Sequence, residues 1–244
     1  MKKIAYFSYG VLSYALFFGT YCYAVGFVTN LLVPTSLDGL SKVSFFRSFL
    51  INASLLLLFA VQHSVMARPA FKKWWTSMVP EPIERSTYVL FSSICLILLL
   101  WLWEPMGGIV WSVEPTAIRI ALTALSFAGF GIVLASTFMI NHFDLFGLRQ
   151  VWFFLRGQNY QPLKFRTPFF YKYVRHPLYL GWIMAFWAAP TMTIAHFLFA
   201  ALCTGYILIA IQFEEKDLIQ TFGAKYTEYK RNAPMLIPFT KAKK

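Results

Sequence analysis

The chain has 244 residues, of which 58% are hydrophobic, 19% aromatic and 13% charged. This composition excludes an ordinary soluble domain, which would aggregate, and predicts a polytopic integral-membrane protein that contacts the lipid bilayer. The net charge of +12 does not predict nucleic-acid binding, because the basic residues are scattered between apolar segments and do not gather on one face.

Apolar segments predict about six membrane-spanning helices. In chain order, they cover residues 4–32, 45–66, 87–103, 116–140, 177–189 and 195–213. The first follows Lys2 and Lys3 as a signal peptide would, but it is too long and lacks a clear cleavage site, which predicts a retained helix. The fifth is short. Pro190 separates it from the sixth, and the helical hydrogen bond that proline removes favours a tight reversal there. The predicted fold is all-α, a helical bundle that ends in a helix-turn-helix hairpin.

The distribution of lysine and arginine predicts the orientation of these helices. Basic residues occur before the first helix, in the connections near residues 68–85 and 149–175, and in the tail. The loop near Glu104 and Glu114 carries acids only. With six spans these basic segments all face the cytoplasm, as the positive-inside rule requires, and Lys42 and Arg47 in an opposite loop are the one mild exception.

One integral domain is predicted for residues 1–244, because no linker-like composition and no repeat of fixed period divides them. Four spans occupy residues 1–140, and the hairpin with its tail occupies residues 141–244. The cysteines occur singly within apolar segments, at Cys22, Cys95 and Cys203. Their spacing predicts core positions, and neither a metal site nor a disulfide framework.

A dense polar motif lies at the entrance to the hairpin. Residues 175–181 read Arg-His-Pro-Leu-Tyr-Leu-Gly, and the apolar hairpin is followed by Glu214, Glu215, Tyr226 and Tyr229. Two helices that reverse between these groups would return His176 and Tyr179 to the side of the glutamates, which predicts a pocket for a cationic ligand. Alternatively, the glutamates end a helix and pair with Lys216 or Arg175. Two acids at the carboxyl end of a helix oppose its dipole unless a cation offsets them, which favours the pocket.

The full motif resembles the isoprenylcysteine carboxyl methyltransferase superfamily of integral-membrane enzymes. The matching residues are Tyr171, Arg175-His176-Pro177, Tyr179, Gly181, Glu214-Glu215, Leu218, Phe222-Gly223, Tyr226, Tyr229 and Pro234. The resemblance implies S-adenosylmethionine as cofactor and a cofactor pocket in the hairpin and tail. The residues that it implies around the cofactor are Leu163, Lys164, Phe165, Arg166, Tyr171, Arg175, His176, Pro177, Leu178, Tyr179, Glu214 and Glu215.

The chemistry of this cofactor agrees with those residue types. S-adenosylmethionine presents a sulfonium cation, a zwitterionic amino acid, a ribose and a flat adenine. Carboxylates and aromatic faces stabilise a cation, and polar groups bind the remainder. Glu214 and Tyr179 therefore fit the positive charge of the donor.

A second set of polar residues lies at the ends of three of the earlier spans. It comprises Gln62-His63-Ser64 with Ala67-Arg68, then Glu84-Arg85-Ser86-Thr87-Tyr88, and finally Asn141 to Gly147 with Arg149 and Gln150. If spans two, three and four pack around the hairpin, these residues surround one cytoplasmic opening. An alternative for His63 and His142 is that each caps a helix at the membrane interface, and His196 is interpreted as interfacial.

The second set is similar to the bacterial methanethiol S-methyltransferases, neighbours of the NnrU-type membrane proteins, and extends the resemblance over most of the chain. It implies methylation of methanethiol to dimethyl sulfide in the bacterial inner membrane, with the active site facing the cytoplasm. Ala210 stands where the prenylcysteine enzymes have an arginine, and Asn232-Ala233-Pro234 replaces Arg-Val-Pro. A small neutral thiol needs no cation for a carboxylate, so both departures favour this branch.

These residues predict direct methyl transfer to a thiolate. A thiol with a pKa of about 8.5 is mostly protonated at neutral pH and needs a base. His142, supported by Asp144, is the first candidate for the base and His63 the second, while Arg149 or Arg175 would stabilise the thiolate. A dry pocket raises the energy of the two opposite charges that the reaction removes. No metal is required.

Three alternatives remain open at this point. The first is an enzyme that methylates a lipid or prenyl thiol or carboxylate. The second is a non-enzymatic NnrU-type protein that binds haem between His63 and His142. The third is a structural membrane subunit. The sequence indicates no oligomeric state.

Overall fold

The structure is a computed structural model in which residues 1–240 are described. In chain order the elements are α1 (Lys2–Thr29), α2 (Phe45–Ala67), α3 (Pro69–Trp75), α4 (Glu81–Leu102), β1 (Ile109–Ser112), α5 (Thr116–Ile140), α6 (His142–Leu145), α7 (Leu148–Arg156), a 3-10 turn (Phe169–Lys172), α8 (Pro177–Trp187), β2 (Thr191–Thr193), α9 (Ile194–Phe222) and α10 (Ala224–Asn232). The helices α1, α2, α4, α5 and α9 are long and apolar enough to cross a membrane. The predicted all-α, polytopic membrane architecture is confirmed.

The predicted fifth span is shorter than expected. Helix α8 has 11 residues, and at about 1.5 Å per residue it covers roughly half of a hydrocarbon core of about 30 Å. Its end is stabilised by donors from other segments. Ser126 Oγ donates to Ala185 O at 2.8 Å, His196 Nε2 donates to Phe186 O at 2.9 Å, and Trp111 Nε1 donates to Ala189 O at 3.1 Å. A short helix ends here without leaving its carbonyls unpaired in apolar surroundings.

His196, which the sequence analysis interprets as interfacial, is enclosed by the protein. It is buried in the first turn of α9, and the Thr193 side chain accepts a hydrogen bond from its backbone amide. Its ring satisfies the Phe186 carbonyl. The role of His196 is therefore to close the hairpin between α8 and α9.

The chain forms two compact units. The first unit comprises Met1–Gly108 and Asn141–Pro162, and the second unit comprises Ile109–Ile140 and the residues from Leu163 onward. Helix α5 therefore groups with the carboxyl-terminal segments and not with the first three spans. Residues 141–162 return to the first unit, where α7 packs against α1 and α4.

In the first unit, hydrogen bonds fasten the loop after α1 and the end of α4. The amide of the buried Asn52 in α2 donates to Glu104 O at 2.7 Å and accepts from Glu104 N at 3.0 Å. Thr35 Oγ1 donates to Leu100 O at 3.0 Å, and Trp103 Nε1 donates to Leu37 O at 3.2 Å. These bonds satisfy backbone groups where α4 ends, so its carboxyl end is held by polar contacts.

In the second unit, α5 and α8 pack with their backbones in direct contact. A Cβ atom on Gly129 would lie 2.6 Å from Gly181 O, and one on Gly181 would lie 2.7 Å from Gly129 O. Small residues allow this approach between membrane helices. The antiparallel pair β1–β2 and the helices α9 and α10 complete the unit.

We predict that Gly129→Ala separates α5 from α8 and destabilises the protein by about 1–3 kcal/mol, because the new methyl group overlaps backbone atoms. Gly131→Ala is the matched control, since a Cβ atom on Gly131 meets no atom within 4 Å. Thermal unfolding in detergent should show a lower midpoint for the Gly129 variant alone. Equal midpoints for the two variants would contradict the close packing.

Candidate active site

A buried carboxylate lies at the centre of the second unit. Glu215 Oε1 accepts hydrogen bonds from Arg175 Nε at 2.7 Å and His176 Nε2 at 3.1 Å, and Glu215 Oε2 lies 2.6 Å from Lys230 Nζ. The side chains of Glu215 and Arg175 are only 4% and 7% exposed. Both carboxylate oxygens are therefore bonded to cationic or histidine donors, which a buried charge requires. The predicted return of His176 to the glutamates across the α8–α9 reversal is confirmed.

The segment after α10 holds the Arg-His-Pro motif by its main chain. Arg175 Nη1 donates to Lys230 O at 3.1 Å and to Ala233 O at 2.5 Å. The backbone amides of Arg175 and His176 donate to Pro234 O and Met235 O at 2.9 and 3.1 Å. Sequence reasoning missed these backbone contacts, because main-chain acceptors have no residue signature. It also missed the contact of Lys230, which could have been inferred only from the need to balance the charge of a buried acid.

Glu214 is the accessible acid of the pair. Its side chain is 41% exposed, and its Oε2 atom accepts a hydrogen bond from the Tyr179 hydroxyl at 2.7 Å and lies 4.0 Å from His176 Nδ1. The rings of His176 and Tyr179 lie 5.6 Å apart. The Glu214 carboxylate is thus exposed beside aromatic rings, while the buried Glu215 is neutralised by its partners. The exposed pair of Glu214 and Tyr179 is called the rim here, and it can attract a cation.

The position of the two acids within α9 differs from the sequence prediction. The helix continues to Phe222, beyond the predicted end at residue 213, so Glu214 and Glu215 lie inside it and not at its carboxyl terminus. The dipole argument that favoured a cationic ligand was therefore wrong. Of the alternative, the pairing of Glu215 with Arg175 is confirmed.

Aromatic residues line the neighbouring surface of the second unit. The Phe165 ring lies 5.3, 5.9 and 5.6 Å from the rings of Phe222, Tyr226 and Tyr229. The Tyr229 hydroxyl donates to Tyr171 O. Burial raises the pKa of Tyr171, Tyr226 and Tyr229, so these hydroxyls stay protonated as donors. Among residues 1–240, the buried Tyr226 hydroxyl has no hydrogen-bond partner.

The other residues predicted around a cofactor lie at the edges of this region. Pro177 is buried as the first residue of α8, a position that suits proline, and Leu178 is half-buried. Leu163 is half-buried, whereas Lys164 and Arg166 are exposed. Arg166 Nη2 donates to Ile140 O at 2.6 Å and so satisfies a carbonyl at the end of α5.

In the first unit, Asp144 pairs with Arg149 and Tyr160. The Asp144 Oδ1 atom accepts from Arg149 Nη1 and from the Tyr160 hydroxyl, each at 2.9 Å. The Arg149 guanidinium lies 5.0 Å from the Phe153 ring and 5.3 Å from the Tyr160 ring. Burial, and then the hydrogen bond to Asp144, raises the pKa of Tyr160 to about 12. Asp144 therefore neutralises Arg149 and orients Tyr160, a residue that the sequence did not single out.

His142 is buried in an aromatic enclosure. His142 is 2% exposed, and its Nε2 atom lies 2.8 Å from the hydroxyl of Tyr14 in α1. The rings of Phe146 and Phe143 lie 4.8 and 5.6 Å from the imidazole. Burial lowers the pKa of His142 from its ordinary value of 6.5. The imidazole is therefore neutral at neutral pH and able to accept a proton.

His63 forms a second pair of histidine and tyrosine. The Tyr88 hydroxyl lies 3.1 and 3.0 Å from His63 Nδ1 and Nε2, and the Phe59 ring stacks on the imidazole at 5.2 Å. Arg85 Nε donates to Leu145 O at 2.7 Å, and its guanidinium lies 5.0 Å from the Tyr88 ring. The predicted meeting of the three polar segments of the first unit is confirmed by these contacts.

We predict that Glu215→Gln destabilises the protein by about 3–5 kcal/mol, because Arg175 and Lys230 lose the charge that compensates them in a buried site. Glu228→Gln is the matched control, since Glu228 is exposed on α10. Chemical or thermal unfolding in detergent measures the difference. A Glu215 variant as stable as the control would show that the ion cluster does not hold the unit together.

Comparison with known proteins identifies relatives along nearly the whole chain. A family model described as NnrU protein matches residues 51–212. The methanethiol S-methyltransferase of Crocosphaera subtropica is 54% identical over 95% of this chain and 91% of its own length. The methanethiol S-methyltransferase of Mycobacterium tuberculosis is 49% identical over 98% of each chain. Nurim of Rattus norvegicus is 31% identical over 75% of this chain and 72% of its own. No solved structure matches significantly. The chain belongs to the NnrU family of membrane proteins, within the group of the methanethiol S-methyltransferases.

Proposed function

We propose that this protein methylates methanethiol to dimethyl sulfide and uses S-adenosylmethionine as the methyl donor. The observation that carries the proposal is the half-exposed Glu214 carboxylate, hydrogen-bonded to Tyr179 above the neutralised Glu215 cluster. The names of relatives that are 49% to 54% identical over nearly the full chain support the thiol and its methylation.

The residues of the second unit fit the proposed donor. Glu214 and the face of Tyr179 suit a sulfonium cation, and the Phe165 ring suits a flat adenine. The buried Tyr226 hydroxyl, which is unpartnered among residues 1–240, suits a polar group of the ligand. Arg175, His176 and Glu215 are bonded to one another, so we propose that they position the rim and do not contribute the main charge toward the donor.

When bound, S-adenosylmethionine supplies an electrophilic methyl group on a positively charged sulfur. The chain supplies the proton acceptor that makes the thiol nucleophilic. We propose His142 for this role, because its buried imidazole is neutral at neutral pH and its pKa lies below that of a thiol, so the proton moves only as the thiolate is consumed. Arg149 is the cation nearest to this histidine in sequence, and Asp144 offsets its charge.

The site is proposed to face the cytoplasm of a bacterial inner membrane. The basic residues at the start of α1, around α3, in α7 and in α10 support this orientation by the positive-inside rule. Labelling of a single engineered cysteine at Lys164 with a membrane-impermeant reagent tests it. Protection in intact cells is expected, and labelling from outside would reverse the topology.

The activity itself is tested with purified protein, S-adenosylmethionine and a panel of thiols that includes methanethiol, a longer alkyl thiol and a prenyl thiol. Gas chromatography should detect dimethyl sulfide, and methanethiol should give the highest kcat/KM. Turnover of the prenyl thiol alone would replace the proposed substrate. A prominent Soret band in the purified protein would favour haem binding, although His63 and His142 each already have a tyrosine hydroxyl partner.

We predict that Glu214→Gln weakens S-adenosylmethionine binding about tenfold, because a charge-assisted contact to the sulfonium is lost. Calorimetry in detergent measures the dissociation constant. The exposed Glu228→Gln variant should bind as the wild type does. Equal affinity in both variants would remove Glu214 from the donor site.

We predict that His142→Ala lowers kcat about 10²-fold or more, since general base catalysis is lost, while the affinity for S-adenosylmethionine is unchanged. In the wild type, activity should fall in acid with a midpoint below 6.5, because burial lowers the pKa of His142 from that value and protonation removes the base. Comparison of His142→Ala with His63→Ala separates the two candidate bases. A larger loss in the His63 variant would assign the base to His63.

A further inference from the structure

The hydroxyl of Tyr14 blocks the ring nitrogen through which His142 would act. The Tyr14 oxygen lies 2.8 Å from His142 Nε2, and the two rings meet edge to face at a centroid distance of 5.5 Å. Both residues belong to the first unit, Tyr14 in α1 and His142 in the turn after α5. The hydroxyl and the imidazole form a hydrogen-bonded pair along which a proton can move.

Exposure decides which member of this pair a solute meets. The imidazole is enclosed by the rings of Tyr14, Phe143 and Phe146, and His142 is 2% exposed. Tyr14 is only half-buried. A small molecule can thus contact Tyr14 without any rearrangement, whereas it cannot contact the imidazole.

We propose that Tyr14 is a catalytic residue, which receives the proton of the thiol on its hydroxyl oxygen and passes its own proton to His142 Nε2. This inference rests on the proposed methylation of methanethiol. It requires the imidazole tautomer with its hydrogen on Nδ1, which leaves Nε2 as the acceptor of the Tyr14 hydrogen bond.

The bonds of the step balance. The S–H bond of the thiol breaks and an O–H bond to Tyr14 forms, while the original O–H bond of Tyr14 breaks and an N–H bond forms at His142 Nε2. The electron pair left on the thiol sulfur forms the new bond to the methyl carbon. The bond between that carbon and the donor sulfur breaks, and its electron pair stays on the donor. The imidazolium then returns its proton to the Tyr14 oxygen, and the hydrogen that Tyr14 received from the thiol passes to water.

The second tyrosine–histidine pair does not share this exposure. Tyr88 is 7% exposed and its hydroxyl is occupied by both ring nitrogens of His63. His63 is half-buried, so in that pair the imidazole and not the tyrosine is the accessible member. The two pairs therefore differ in which member a solute meets, and only the pair of Tyr14 and His142 presents its tyrosine.

Three charged groups lie on the segments around His142. Asp144 on the same turn accepts from Arg149 of α7 and from Tyr160, and Arg85 of α4 donates to Leu145 O. Asp144 therefore offsets the charge of Arg149, whereas the Leu145 carbonyl does not offset that of Arg85. A hydrogen bond from Tyr14 stabilises the neutral imidazole, so its loss should raise the pKa of His142.

The test compares Tyr14→Phe with Tyr9→Phe. Tyr9 lies on the same helix and its hydroxyl donates to Thr87 Oγ1 at 3.0 Å, so the control loses a similar hydrogen bond away from any histidine. With methanethiol and S-adenosylmethionine, we expect kcat of the Tyr14 variant to fall about 10²-fold with an unchanged dissociation constant for the donor. The Tyr9 variant should stay within about twofold of the wild type. The acid limb of the Tyr14 variant should move to higher pH.

A double variant identifies the partner. If Tyr14 acts through His142, the Tyr14→Phe, His142→Ala double variant loses no more activity than His142→Ala alone. Additive losses would overturn the relay. So would an unchanged kcat in Tyr14→Phe while the wild type makes dimethyl sulfide. A wild type that makes no dimethyl sulfide refutes the proposed function instead.

A second substitution tests the proposal if the Tyr14→Phe variant unfolds. Replacement of Tyr14 by 3-fluorotyrosine keeps the ring and the hydroxyl but lowers the pKa of the phenol. The pH profile of kcat should then shift, whereas the same replacement at Tyr9 should leave it unchanged. An identical profile at both positions would exclude the Tyr14 hydroxyl from the proton transfer.

Discussion

The compensation of one buried negative charge organises the second unit. Glu215 lies inside a membrane-crossing helix, where an unpaired carboxylate would be costly, and it accepts contacts from Arg175, His176 and Lys230. These partners precede α8 and lie in α10, so the same interaction joins the hairpin to the tail. The backbone carbonyls from Ala233 to Met235 also accept hydrogen bonds from Arg175 and His176. Because these partners neutralise Glu215, its neighbour Glu214 remains as the exposed acid of the pair.

The packing of α8 explains how this cluster is placed. The helix is too short to cross a bilayer, yet its carbonyls are satisfied by Ser126, Trp111 and His196, and its backbone touches α5 at Gly129. A half-length helix is tolerated in apolar surroundings only when other segments supply such donors. The packing of α5 against α8 and the ion cluster thus depend on each other, since α8 carries the first residues of the site.

The first unit contains two pairs of a histidine and a tyrosine that differ in burial. His63 with Tyr88 and His142 with Tyr14 each place an imidazole beside a phenolic hydroxyl. The burial is reversed between them, because Tyr88 and His142 are buried whereas His63 and Tyr14 are half-buried. Asp144, adjacent in sequence to the second pair, instead balances Arg149.

The sequence by itself determined the membrane class, the positions of the long helices and the return of His176 to the glutamates, because apolar length, proline and a dense polar motif are local properties. Only the tertiary structure decided which glutamate is buried, that Lys230 and the carbonyls of Ala233 to Met235 hold Arg175 and His176, and that α5 belongs with the carboxyl-terminal segments. These features depend on contacts between segments distant in sequence and on main-chain acceptors, which every residue carries and no motif marks.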